Sequence, residues 1–157
     1  MFNVIVDTRE QKPWVLNSKD VNETISRKLD TGDYSIEGLE NIISIDRKMT
    51  VSELAGNVTQ KRFEAELIRM QKIKHSFLLL EFSIDDILMY PVGSDIPKSR
   101  WKTVRVKGHF LFKKIMEIPI IHGVDVMFCG DRDNAEYTAV SLLKRAYEKY
   151  IVPGDAG

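Results

Sequence analysis

The sequence is poor in the features that would mark a secreted, membrane or metal-stapled chain. Cys129 is the only cysteine, so no internal disulfide can form and a reducing compartment is expected. It closes the apolar run Val124-Asp125-Val126-Met127-Phe128, where a packed small side chain is expected rather than a reactive thiol. No apolar stretch approaches the ~20 residues that span a bilayer. The start, Met1-Phe2-Asn3-Val4-Ile5-Val6-Asp7, is charged too soon for a signal peptide. A cytoplasmic protein with no membrane partner is therefore expected. Zinc is excluded as a structural staple, because His75, His109 and His122 are scattered and the single cysteine completes no ligand pattern. Neither sign of charge is in excess, with 23 Lys and Arg against 23 Asp and Glu. Any polyanion-binding surface must then come from local clustering.

What remains is an ordinary folding chain: 157 residues, 43% of them hydrophobic, enough for one domain with its own core. Phe2 to Val6 reads as a buried strand that delivers Asp7 at its C-terminal end. Val21, Ile25 and Leu29 recur at helical spacing, which predicts a helix over 20–30 capped by Gly32. Strands over 33–37 and 41–48 follow, joined through Glu37-Gly38-Leu39-Glu40 as a hairpin. Helices are expected over 50–58 and 60–74, the second with Phe63, Leu67 and Met70 on its buried face. Phe77 to Phe82 and Val124 to Cys129 are apolar strands. Between them lie the Pro/Gly-rich stretch 91–97 and a partly helical region to about 118. Gly130-Asp131-Arg132-Asp133-Asn134 reads as a turn and helix cap before a final helix over 133–149. No repeat interrupts this order. It predicts an α/β fold with a mixed sheet flanked by helices.

The chemistry-bearing residues gather at strand ends. Alternation along a strand puts Asp46 and Lys48 on one face and Arg47 on the other. Asp33 opens the neighbouring strand of the hairpin and Asp7 closes the first strand, so the carboxylates can converge at one sheet edge. Such carboxylates are hard oxygen donors for Mg²⁺ or Mn²⁺, and a lysine beside them suits phosphodiester hydrolysis. Without a cation they would repel one another. An Asp-x-Lys tripeptide alone is better explained as a solvated strand end.

Four segments in order resemble the XPF-type nuclease domain, a branch of the restriction-endonuclease-like superfamily. Val6-Asp7-Thr8-Arg9-Glu10 is similar to that family's first motif, and Thr31-Gly32-Asp33-Tyr34 to its Gly-Asp-Tyr element. Ile45-Asp46-Arg47-Lys48 resembles the signature Glu-Arg-Lys, followed by Glu53-Leu54. Arg62-Phe63 with Glu66 resembles the helix after the active site, and Phe77 to Phe82 the next strand. The likeness is strongest over residues 3–83.

The resemblance implies a restriction-endonuclease-like fold over residues 1–152, with a short tail at 153–157. It implies a metal-dependent endonuclease for branched or flapped DNA in repair, recombination or phage DNA metabolism. Such a protein often works as a homodimer or with a partner subunit, and would be cytoplasmic or nucleoid-associated. Asp7, Asp33, Asp46 and Lys48 would lie at the metal and the scissile phosphate, with the three aspartates as metal ligands. Arg9 and Arg47 would support that cluster or touch the DNA backbone. The sequence departs from the pattern at position 46, which is Asp for Glu, and at Glu53, one position later than usual. The tandem helix-hairpin-helix module common in the family is expected to be absent.

Residues 98–114 contain seven Lys or Arg and no acid. Lys98, Arg100, Lys102, Arg105 and Lys107 could follow a phosphate backbone, with Trp101 stacking on an unpaired base. A solvated helix face with Trp101 and Phe110 in the core explains the same segment equally well. Arg62 is a DNA-contact candidate by resemblance. Arg62 and Glu66 are also four apart, as a surface ion pair would be. Two further functional classes stay open: a non-catalytic DNA-binding scaffold subunit, and a sequence-specific restriction enzyme.

Overall fold

The computed structural model describes residues 1–152; the proposed tail 153–157 lies outside the described residues. Six strands form one mixed sheet in the order β2-β1-β3-β4-β5-β6. They are β1 (Phe2–Val6), β2 (Val21–Ser26), β3 (Tyr34–Ile36), β4 (Ile43–Lys48), β5 (His75–Leu80) and β6 (Asp125–Phe128). β1 runs antiparallel to β3 and β3 antiparallel to β4, whereas β4, β5 and β6 are mutually parallel. The helices are α1 (Val51–Asn57), α2 (Lys61–Gln71), α3 (Ile84–Met89), α4 (Gly108–Glu117) and α5 (Arg132–Tyr150). No helix among the described residues is long and apolar enough to cross a membrane.

Strand alternation sorts the side chains into two cores. On one face Val4, Val6, Tyr34, Ile36, Ile43, Ile45 and Leu79 pack under the small-residue stripe Ala135, Ala139 and Ala146 of α5. On the other, Leu78 and Leu80 meet Leu54, Phe63, Leu67, Met70, Leu111 and Ile115 from α1, α2 and α4. Burying Phe63, Leu67 and Met70 stabilises α2 by about 1.5–3 kcal/mol each. It fixes which stripe of the helix borders the sheet edge. Cys129 is half-buried against the α5-side core, and burial raises its thiol above the usual value. Asp131 caps α5 by accepting from the Asn134 N–H at 2.7 Å, as the turn-and-cap reading expects.

The segment read as a helix over 20–30 is instead the edge strand β2. It pairs in parallel with β1 from Phe2↔Val21 to Val6↔Ser26. Val21, Thr24 and Ile25 are β-branched and fit a pleated edge, and the main-chain pairing outweighs a weak helical period. Gly32 therefore ends no helix. It sits in the loop before β3 at φ +78°, where a Cβ would lie 2.2 Å from Ser44 Oγ and 3.1 Å from the Ile45 carbonyl oxygen. Only glycine lets this loop lie flat on β4. That close approach allows the Asp33 N–H to bond the Ile45 carbonyl at 2.8 Å and the Asp7 N–H to bond the Asp33 carbonyl at 2.8 Å.

Candidate active site

The ends of β1, β3 and β4 and the adjoining stripe of α2 enclose a cleft of about 560 Å³. Asp7, Asp33, Asp46, Lys48 and Arg9 line it, as do Glu53, Asn57, Arg62, Glu66 and Arg69. Asp46 and Lys48 project from β4 toward the α1–α2 side. Lys48 Nζ stands 3.4 Å from Asp46 Oδ2 and 5.2 Å from the centroid of the Phe63 ring. Asp33 lies across the β3–β4 pairing and accepts a bond from the Arg47 main-chain N–H at 2.9 Å. The β4–α1 turn is locked by two bonds. Thr50 accepts from the Glu53 N–H at 3.1 Å, and Glu53 accepts from the Met49 N–H at 3.0 Å.

Electrostatic conditions in the cleft are uneven. Burial, then the charge of Asp46, holds the Asp33 carboxyl well above the usual carboxylate range, although the Arg47 N–H pulls the other way. Burial and the neighbouring Asp46 push Glu66 up to about 8. Asp46 is 2% exposed, and its Oδ2 is buried without a hydrogen-bond donor. Burial opposes the Lys48 charge, but Asp46, Glu66, Glu53 and Asp33 outweigh it and raise its pKa. Lys48 therefore favours its ammonium form at neutral pH. Three crowded carboxyls, one with a buried oxygen that Lys48 Nζ approaches at 3.4 Å without a hydrogen bond, fit the hard-oxygen demands of a divalent cation. Among the described residues no three His, Cys, Asp or Glu side chains are gathered into a finished cation cage. Water and a phosphate oxygen would have to complete the coordination of a cation held here.

Asp7 is differently placed. Its Oδ1 accepts from the Leu29 N–H at 2.8 Å and its Oδ2 from Arg9 Nε at 2.7 Å. Burial alone would raise its pKa, but these bonds dominate and hold the carboxyl below its ordinary value. Arg9 also donates to the Leu29 carbonyl at 3.0 Å, while its side chain remains 68% exposed at the cleft mouth.

Arg47 also lines the cleft, but its side chain reaches toward the α5 side of the sheet. It is 2% exposed on the α5 side of the sheet, where it meets Glu10 at 3.1 Å and Glu81 at 3.4 Å. It also bonds the Lys12 carbonyl and lies 5.1 Å from the centroid of the Trp14 ring. Tyr34 donates to Glu10 at 2.8 Å, and Trp14 Nε1 to Glu81 at 2.8 Å. This network ties residues 10–14 to β3 and β4 beside the cleft, which Glu10 and Gln11 also line.

Of the remaining candidates, Arg62 lines the cleft. Lys98, Arg100, Lys102, Arg105 and Lys107 are exposed on a 3₁₀ segment (98–103) and the stretch after it, and none lines the cleft. Trp101 is half-buried and donates Nε1 to the Ile96 carbonyl at 2.9 Å, so its indole is already engaged. The expected Arg62–Glu66 ion pair does not form; Glu66 turns inward to Asp46 instead. Glu66, Asn57 and Arg69 were not singled out as cleft residues from the sequence. Arg62, Glu66 and Arg69 each precede a buried residue, Phe63, Leu67 and Met70, so they border the apolar stripe. That position was visible, but a solvated helix face has the same pattern.

Comparison with known proteins identifies a family and a shared fold. The family model of the ERCC4 domain matches residues 6–151. Two solved structures superpose over nearly the whole chain. One is XPF from Aeropyrum pernix in complex with DNA, at TM-score 0.68 and 21% identity, covering 96% of this chain and 68% of that one. The other is XPF from Aeropyrum pernix, at TM-score 0.67 and 22% identity, covering 97% and 74%. No curated protein matches the sequence.

Proposed function

Because the chain belongs to the ERCC4 domain family, we propose that it is a Mg²⁺- or Mn²⁺-dependent endonuclease that hydrolyses phosphodiester bonds in branched or flapped DNA. The observation that carries this reading is the convergence of Asp33, Asp46, Glu66 and Lys48 in one cleft, with Asp46 Oδ2 buried and met by Lys48 Nζ at 3.4 Å. Asp33 and Asp46 would hold the cation, from the two strands whose pairing fixes their separation. A cation bound there would acidify a water and offset negative charge developing on the phosphate. Lys48, charged and anchored over Phe63, orients the attacking water and stabilises the same charge. Asp7 serves by holding Arg9 at the mouth, where the exposed guanidinium meets a backbone phosphate. Lys98, Arg100, Lys102, Arg105 and Lys107 extend the contact to more distant phosphates, with or without a second copy or partner subunit.

The test is cleavage of labelled flap, fork and linear duplex DNA with Mg²⁺, Mn²⁺ or EDTA. Metal-dependent cutting of the branched substrates, lost in Asp46→Ala, supports the reading. Tight binding with no cutting under either metal establishes the scaffold alternative instead. Cutting of linear duplex at one defined sequence would make it a restriction enzyme.

A further inference from the structure

Helix α2 presents an Arg–Glu–Arg stripe to the cleft. Arg62, Glu66 and Arg69 are spaced i, i+4 and i+7, so all three lie on one face, and all three line the cleft. The middle residue is half-buried and turned toward Asp46, while both arginines are exposed at the rim. Neither arginine makes an ion pair among the described residues, although nine such pairs form elsewhere. Arg69 lies in the last turn of α2, where it complements the helix dipole. That accounts for a base at the helix end but not for its facing the cleft. Arg9 stands on a different wall, carried by the chain after β1.

We propose that Arg62 and Arg69 grip two phosphates of one DNA strand along α2, on either side of the phosphate held at Asp46. A helix rises 1.5 Å per residue, so seven residues separate the two arginines by about 10 Å. One strand of duplex advances about 3.4 Å per nucleotide along the axis while also winding about it, so adjacent phosphates lie farther apart than that rise and the gripped phosphates are about one to two nucleotides apart. The acid between them faces the cation, and the two bases face the flanking negative charge. Arg9 approaches the intervening backbone from the other wall. The assignment makes Arg69 a phosphate-binding residue and sets the path of one strand along α2. It rests on reading the cleft as a nuclease site, but it concerns binding and is separable from cleavage.

The experiment uses the whole chain with forked DNA and Ca²⁺ in place of Mg²⁺, measuring Kd across a salt series. Arg62→Gln and Arg69→Gln are each expected to weaken binding, and each to lower the slope of log K against log salt by about 0.9. Replacing single phosphates by neutral methylphosphonates should then identify two sensitive positions on one strand, about one to two nucleotides apart. Neutralising one of them should cost Arg62→Gln nothing further, and neutralising the other should cost Arg69→Gln nothing further. Thermal melting of the free variants should match the parent, because both side chains are exposed. An Arg69→Gln protein with unchanged Kd and slope overturns the proposal, as does sensitivity at positions on opposite strands. Because cleavage is not read, a protein that binds in this way but never cuts would sink the nuclease reading and leave the clamp standing.

Discussion

Arg47 and Lys48 are neighbours on β4, yet they point to opposite faces of the sheet and meet opposite electrostatic conditions. Arg47 is matched by Glu10, Glu81 and the Lys12 carbonyl, and packs on Trp14. Lys48 faces Asp46, Asp33, Glu53 and Glu66, four carboxyls crowded around one ammonium. One face of the strand is matched and holds the loop; the other crowds acids whose protonation is perturbed. The difference shows how a single strand can separate stability from chemistry, since alternation places the two tasks on residues that never touch.

Perturbing each face should produce a different kind of loss. The largest effect is expected from Asp46→Ala, which should cut the cleavage rate at least about a thousandfold, a loss of roughly 4 kcal/mol of transition-state stabilisation. DNA affinity measured in Ca²⁺ should remain near that of the parent. Single-turnover kinetics beside binding isotherms check this, and metal-dependent cleavage retained in the variant would remove Asp46 from the site. On the opposite face, Arg47→Met leaves Glu10 and Glu81 buried together without their shared cation. Urea unfolding should show a loss of about 3–5 kcal/mol, and a change of under 1 kcal/mol would mean the network is not a support.

Smaller effects refine the contrast. Lys48→Ala should slow cleavage by about ten- to a hundredfold while changing affinity little. Equal losses in rate and affinity would reduce Lys48 to a phosphate contact. Glu66 gives a pH signature. Its folded-state pKa of about 8 lies above the ordinary 4.5, so the folded chain keeps a proton that the unfolded chain releases. In metal-free buffer this contribution is fully present below pH 4.5, falls as pH rises toward 8, and is flat beyond. Glu66→Gln should therefore be more stable than the parent by up to about 5 kcal/mol at pH 9 and equal to it at pH 4. Melting curves at the two pH values decide the matter, and parallel pH profiles would contradict the crowded-carboxyl account.

The sequence revealed the motif residues better than their geometry. Asp33, Asp46 and Lys48 could be placed together because strand period and the Gly38 hairpin are local rules, and both hold in the structure. The helix expected over 20–30 failed because β2 owes its form to pairing with β1, a contact that local spacing does not encode. Glu66 was assigned to a surface pair because its distance to Arg62 along the helix is local, whereas its approach to Asp46 depends on how α2 docks. Arg47 illustrates the same limit. Alternation gave its direction, but Glu81 and Trp14 reach it from distant parts of the chain.

The central claim is that the Asp46 face of β4 is built short of a divalent cation. Calorimetric titration of the metal-free protein with Mn²⁺ at pH 8 tests it most directly, set beside the same titration of Asp46→Ala. Saturable binding by the parent, abolished in the variant and accompanied by proton release from the carboxyl cluster, is the predicted result. Binding of equal strength in both proteins, or none in either, would contradict it.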